Sequence, residues 1–183
     1  MPNLPILLGD SIFRRLFCQT PLLFNEVSKY TCIGGLRILG LYDKVKQHRH
    51  LLADKEVILL IGTNDILKGE SIVTVRQSFK VLIRYLKRLK CRISICEVLP
   101  IPKFGRLATD CQSVCELNKF ICAFEPSGVC IIRVHDQFVS NNNIKVYLYC
   151  QTCKRKNKSQ CVDLIHPNGA GLECLLLCLE VNG

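Results

Sequence analysis

The chain has 183 residues, 49% of them apolar, and carries 25 Lys+Arg against 15 Asp+Glu for a formal net charge of +10. That length suits a single domain burying roughly two-thirds of its unfolded surface, and the apolar share excludes disorder as the main state. No apolar run approaches the roughly 18 residues of a membrane span, and Met1-Pro2-Asn3 offers no basic region ahead of a signal core. The expectation is one soluble, cytoplasmic domain over residues 1–183.

Leu4–Leu8 reads as a first strand, ending at Gly9-Asp10-Ser11. Val27–Ile33 is a weaker strand, closed by Gly34-Gly35. Leu36, Leu39, Val45 and Leu52, with polar residues between them, suggest a helix over Leu36–Leu52. Val57–Ile61 is a continuous apolar run, as in parallel strands covered on both faces, and stops at Gly62-Thr63-Asn64-Asp65. The clearest helix is Ile72–Lys90, whose apolar stripe includes Val75, Phe79, Leu82 and Leu86. Ile93–Leu99 is a fourth strand, stopped by Pro100 and Pro102, followed by a helix over Asp110–Phe124 and a fifth strand over Val129–Val134. Asn141-Asn142-Asn143 marks a turn, and Ile144–Tyr149 an extra strand or hairpin arm. A last helix, Asn168–Leu179, is entered through Pro167. Alternating strands and helices predict an α/β fold, a three-layer α/β/α sandwich on a mostly parallel sheet. A Cys/Lys-rich insertion at about 144–161 interrupts the pattern. Ligands of such sheets bind beyond the carboxyl ends of the strands.

Those ends carry Gly9-Asp10-Ser11, Gly34-Gly35 and Gly62-Thr63-Asn64-Asp65, and Asp163-Leu164-Ile165-His166 precedes the last helix. Each block alone reads equally as a helix cap or a turn. In this order and context they resemble the SGNH (GDSL-type) hydrolases, a family of esterases, lipases and deacetylases, across about Ile6 to Leu179. The resemblance implies a flavodoxin-like, five-stranded sheet and a triad of Ser11, Asp163 and His166. In it His166 takes the hydroxyl proton and Asp163 orients the ring. It also implies an oxyanion hole built from the backbone N–H groups of Ser11 and Gly35 and the Asn64 amide. The activity it implies is a serine esterase acting through an acyl-serine on an ester-containing small molecule or lipid, with no cofactor or metal.

The charge allows a second reading. No acidic residue lies between Ser71 and Cys96, where Arg76, Lys80, Arg84, Lys87 and Arg88 are basic. Lys154, Arg155, Lys156 and Lys158 form a second run, and Arg14-Arg15 follows the serine block. Such patches attract phosphate backbones, or merely keep a surface soluble. An SGNH-like scaffold can lose catalysis and keep its surface; the OSK domain of Oskar, SGNH-like and RNA-binding, is similar in this respect. The alternative is therefore a catalytically silent, OSK-like domain that binds RNA, with Tyr147 and Tyr149 as the best stacking candidates, although packing in a hairpin arm is the simpler role for both.

The thirteen cysteines, an odd number, argue against a fully paired disulfide framework. Cys111, Cys115 and Cys122 share a helical stripe, as do Cys174 and Cys178, and read as small hydrophobes in a reduced core. Cys150, Cys153 and Cys161 hint at a zinc knuckle but lack a fourth local ligand; a small redox-sensitive loop is the simpler reading. His48 and His50 read as surface residues, whereas His135 beside Asp136 could line the pocket.

Overall fold

Short runs of branched apolar residues build the central sheet. The protein is described here by a computed structural model covering residues 4–154 and 160–182. Strands β1 (Ile6–Gly9), β2 (Glu56–Leu60), β3 (Arg92–Cys96) and β4 (Cys130–Ile132) lie side by side in that order, all parallel. Alternation along each strand sends Ile6, Leu8, Val57, Leu59, Ile93 and Ile95 to one face, and Leu7, Ile58, Leu60, Cys96 and Ile132 to the other. The first face is covered by α3 (Ile38–Gln47), α6 (Ile72–Arg88) and α7 (Gln112–Cys122), through Leu41, Phe79, Leu82, Leu86 and Leu117. The second is covered by α1 (Ser11–Gln19) and α8 (Gly169–Asn182), through Phe13, Leu16, Leu172 and Leu175. The predicted three-layer α/β/α sandwich is present.

The sheet has four strands where five were expected. Val27–Ile33 instead forms one helical turn, α2 (Ser28–Thr31), followed by a parallel bridge between Cys32 and Gly9. Side chains do there what a strand would have done. Leu7 N–H donates to Ser28 Oγ at 3.0 Å, and Thr31 Oγ1 donates to the Leu7 carbonyl at 2.6 Å. The flanks complete the edge, with Asn25 N–H on the Pro5 carbonyl and Ile33 N–H on the Gly9 carbonyl. Two hydroxyls one helical turn apart thus satisfy the backbone of β1, a buried edge that would otherwise be costly.

Short helices α4 (Arg49–Leu52) and α5 (Thr63–Leu67) fill the connections after α3 and β2. Ile144–Tyr149 is not a strand of the sheet. A hairpin of β5 (Val139–Ser140) and β6 (Asn143–Ile144) turns through Asn141 and Asn142, both at positive φ, the two-residue geometry Asn favours. A 3-10 turn over Val146–Leu148 follows, and β7 (Thr152–Lys154) pairs antiparallel with β8 (Gln160–Val162) inside the insertion. Among the described residues no helix is long and apolar enough to cross a membrane.

Removing the Ser28 hydroxyl leaves the Leu7 N–H buried and unpaired, so Ser28→Ala should cost about 1–3 kcal/mol. The shift in the urea unfolding midpoint measures it. A variant as stable as the parent would mean the edge finds another partner.

Candidate functional site

The carboxyl ends of β1 and β2 come together with the entry to α8. Gly9 permits this approach, because a Cβ there would stand 2.5 Å from the Leu60 carbonyl oxygen. Asp10 caps α1, its Oδ1 accepting from Ile12 N–H at 2.9 Å, and so sets Ser11 at the first helical position. His166 arrives on the loop ahead of α8. Its Nε2 lies 2.8 Å from Ser11 Oγ, and its Nδ1 lies 2.8 and 3.0 Å from the two oxygens of Asp163. Asp163 also accepts from the backbone N–H of Ile165 and of His166, and Leu164 between them takes φ 45°. The Cys150 backbone clamps this loop, donating to the His166 carbonyl and accepting from Leu164 N–H, both at 2.9 Å. The structure thus brings Ser11, Asp163 and His166 into one hydrogen-bonded chain.

Around that chain is an open cavity of about 570 Å³, lined by Ser11, Arg14, Arg15, Gly34, His166 and Gly169 among others. Arg15 leans inward, its guanidinium 3.4 Å from Cys150 Sγ and 3.7 Å from Asp163 Oδ2. The glycine pair divides its tasks. Gly34 borders Ser11 and Arg14, whereas Gly35 holds φ 75° with open space where a Cβ would stand. Asn64 turns its amide into the protein: Nδ2 donates to Asp10 Oδ2 at 3.2 Å and to the Leu36 carbonyl at 3.0 Å. Both amide hydrogens are therefore engaged internally.

Two carboxylates beneath the cavity are held out of water. Burial pushes the Asp10 carboxyl up to about 7, helped by repulsion from Asp65 and offset by the hydrogen bond from Ile12 N–H. Burial likewise raises Asp65 to about 6, against the opposing pull of the Ile38 N–H and Arg37. Asp65 thereby caps the start of α3.

The other candidate residues spread out. Arg76, Lys80, Arg84, Lys87 and Arg88 all sit on α6, on the opposite layer of the sandwich from α1. Arg76 pairs with Glu116 at 3.3 Å and lies over the Phe120 ring; Lys87 donates to Ser127. Lys80, Arg84 and Arg88 make one exposed line, and among the described residues Arg84 and Arg88 have no acidic partner. Lys154 ends β7, while Arg155, Lys156 and Lys158 lie outside the described residues. So do the side chains of Cys153 and Cys161, on which the zinc-knuckle reading turned. Cys32 and Cys96 are fully buried, but Cys111, Cys115, Cys122, Cys174 and Cys178 are only half-buried, rimming the helices instead of filling the core. Tyr149 is buried, its hydroxyl on the Pro100 carbonyl at 2.7 Å and its ring against Phe138, which removes it as a stacking platform; Tyr147 is 69% exposed. His48 stacks on Tyr30. His135 lines a separate cavity with Glu97 and Cys122, away from Ser11. The arginines of α1 gave a sequence signal, a basic pair after the serine block; the inward turn of Asn64 gave none.

The raised carboxyls fix a pH dependence. An unfolded Asp titrates near 3.9, so between about pH 4 and pH 7 the folded state holds more protons and stability falls as pH rises. The urea midpoint should decrease from pH 5 to pH 8, and Asp10→Asn should shrink that decrease. An equal slope in both proteins would place the ionisation elsewhere.

Sequence comparison matches the OSK domain family over residues 15–176. Oskar of Drosophila melanogaster is 21% identical over 151 residues, covering 82% of this chain and 25% of that protein. The chain thus spans about a quarter of that relative's length. A crystal structure of the C-terminal domain of Drosophila Oskar superposes with a TM-score of 0.78 at 18% identity, covering 100% of this chain and 88% of the other. A GDSL-like lipase from Bacteroides thetaiotaomicron superposes with a TM-score of 0.74 at 14% identity, covering 98% and 86%. The lipase shares the fold alone. These findings overturn the serine-esterase expectation and, with it, the ester or lipid substrate: the family match is to the OSK domain. The structure departs from the expected oxyanion arrangement at Asn64. It spends its amide on Asp10 and Leu36. The chain belongs to the OSK domain family, on an SGNH-like α/β fold with a parallel sheet.

Proposed function

We propose that this chain is an intracellular, RNA-binding domain of the OSK type that works through its basic surface, not an acyl hydrolase. The observation that carries the reading is the exposed line of Lys80, Arg84 and Arg88 on a helix with no acidic residue. Residues four apart on a helix stack about 6 Å apart along its axis, so three cations face outward in one row. Cations without acidic partners are free to displace the counterions of a phosphate backbone, which is the source of sequence-independent affinity. The paired cations Arg76 and Lys87 brace α6 against α7 and the turn at Ser127. Exposed aromatics are few; Tyr147 is the one near the rim of the Ser11 cavity, its carbonyl accepting from Asn168. Binding is therefore expected to be electrostatic first, with stacking a minor part.

Fluorescence anisotropy with a short single-stranded RNA, titrated across salt, tests this. Wild type should bind with a steep negative log–log slope. The triple reversal Lys80→Glu, Arg84→Glu, Arg88→Glu should flatten the slope by about 2 and weaken binding at least about tenfold at low salt. Unchanged affinity in the triple variant would overturn the assignment to α6, and no binding by the wild type would overturn the function.

A further inference from the structure

The cavity around Ser11 has no assigned occupant once an ester is removed from it, and its chemistry is unusual for a surface so near three buried carboxylates. None of the described residues lining it is acidic, and two are arginines. Arg14 is exposed and has no acidic partner among the described residues, and its guanidinium lies beside Gly34 at the cavity, Nη1 4.0 Å from where a Cβ would stand. Arg15 is fixed lower in the wall by Cys150 and Asp163. Two helices also begin at this cavity. Nine-residue α1 starts at Ser11, and fourteen-residue α8 starts at Gly169. At α8 the Asn168 side chain accepts from Gly171 N–H, leaving the first N–H groups of that turn without an intrahelical partner. Their partial positive charge adds to that of the arginines.

We infer that this cavity is a phosphate-binding site that holds one phosphate group of a nucleotide, with Arg14 as the docking cation and Arg15 and the start of α8 as the preorganised wall. A volume of about 570 Å³ exceeds a bare phosphate, leaving room for the attached sugar. An arginine fork matches phosphate oxygens bidentately, which an ester carbonyl would not require. The Ser11–His166–Asp163 chain serves here as the rigid floor: each polar atom already has a partner at 2.8–3.0 Å, so the floor does not need rebuilding on binding. That the phosphate comes from RNA rests on the reading above; the anion chemistry does not. The site is on the opposite layer from the α6 row, so the two are separable by mutation.

The test is calorimetric titration of the full chain with uridine 5′-monophosphate, uridine and inorganic phosphate, alongside the RNA anisotropy assay. Uridine 5′-monophosphate should bind, phosphate should compete with it, and uridine should give no heat. Arg14→Glu should weaken the nucleotide about tenfold or more. Arg14→Gln, equally exposed, should give a smaller loss, and the α6 triple reversal none. Equal binding of uridine and its monophosphate, or an Arg14→Glu variant that binds as wild type, overturns the site. Nucleotide binding in a protein that ignores RNA would uphold the site as one for free phosphates and sink the RNA reading. RNA binding lost only with α6, with no nucleotide binding, would sink the site alone.

Discussion

A single buried carboxylate, Asp163, ties the end of the chain to its beginning. It is 3% exposed and reaches, at once, the imidazole of His166, the backbone N–H groups of Ile165 and His166, and the guanidinium of Arg15. A buried charge is tolerated only when it is paired and hydrogen-bonded, and losing one partner typically costs several kcal/mol. Through His166 it holds Ser11, 155 residues away in sequence, and so fixes the start of α1 against the entry to α8. The cavity lies between those two helices, beside this junction.

Four acidic residues, Asp10, Asp65, Glu97 and Asp163, are buried and hydrogen-bonded within the fold. Asp10 is spent on the start of α1 and on Asn64, Asp65 on the start of α3, and Glu97 on His135 N–H and the Cys122 thiol. Lys80, Arg84, Arg88 and Arg14 meanwhile stay open to solvent. On a fold shared with a GDSL-like lipase, this chain carries two arginines beside the cavity at the strand ends.

Much of this was legible in the chain. Val57–Ile61 announced a strand buried on both faces, Phe79 and Leu82 an apolar helix stripe, and the four strand-end blocks the neighbourhood of Ser11 and His166. What failed were cases where one side chain does another element's work. Ser28 and Thr31 pair with β1 as a strand would, which no hydropathy pattern reveals. Asn64 stands in the right motif, but its partners lie 54 and 28 residues away, and only their positions show that the amide is already taken. The function turned on the same point. A serine, histidine and aspartate in the right order described the junction correctly, while the family match is to the OSK domain.

Photocrosslinking of a uridine-rich RNA to the protein, followed by mapping of the adducted peptides, addresses the central claim most directly. RNA held by the basic surface should leave adducts on the peptides of α6 and on Arg14–Cys18 at the cavity mouth, all lost at high salt. Adducts scattered over every basic face alike, or none at all, would contradict it.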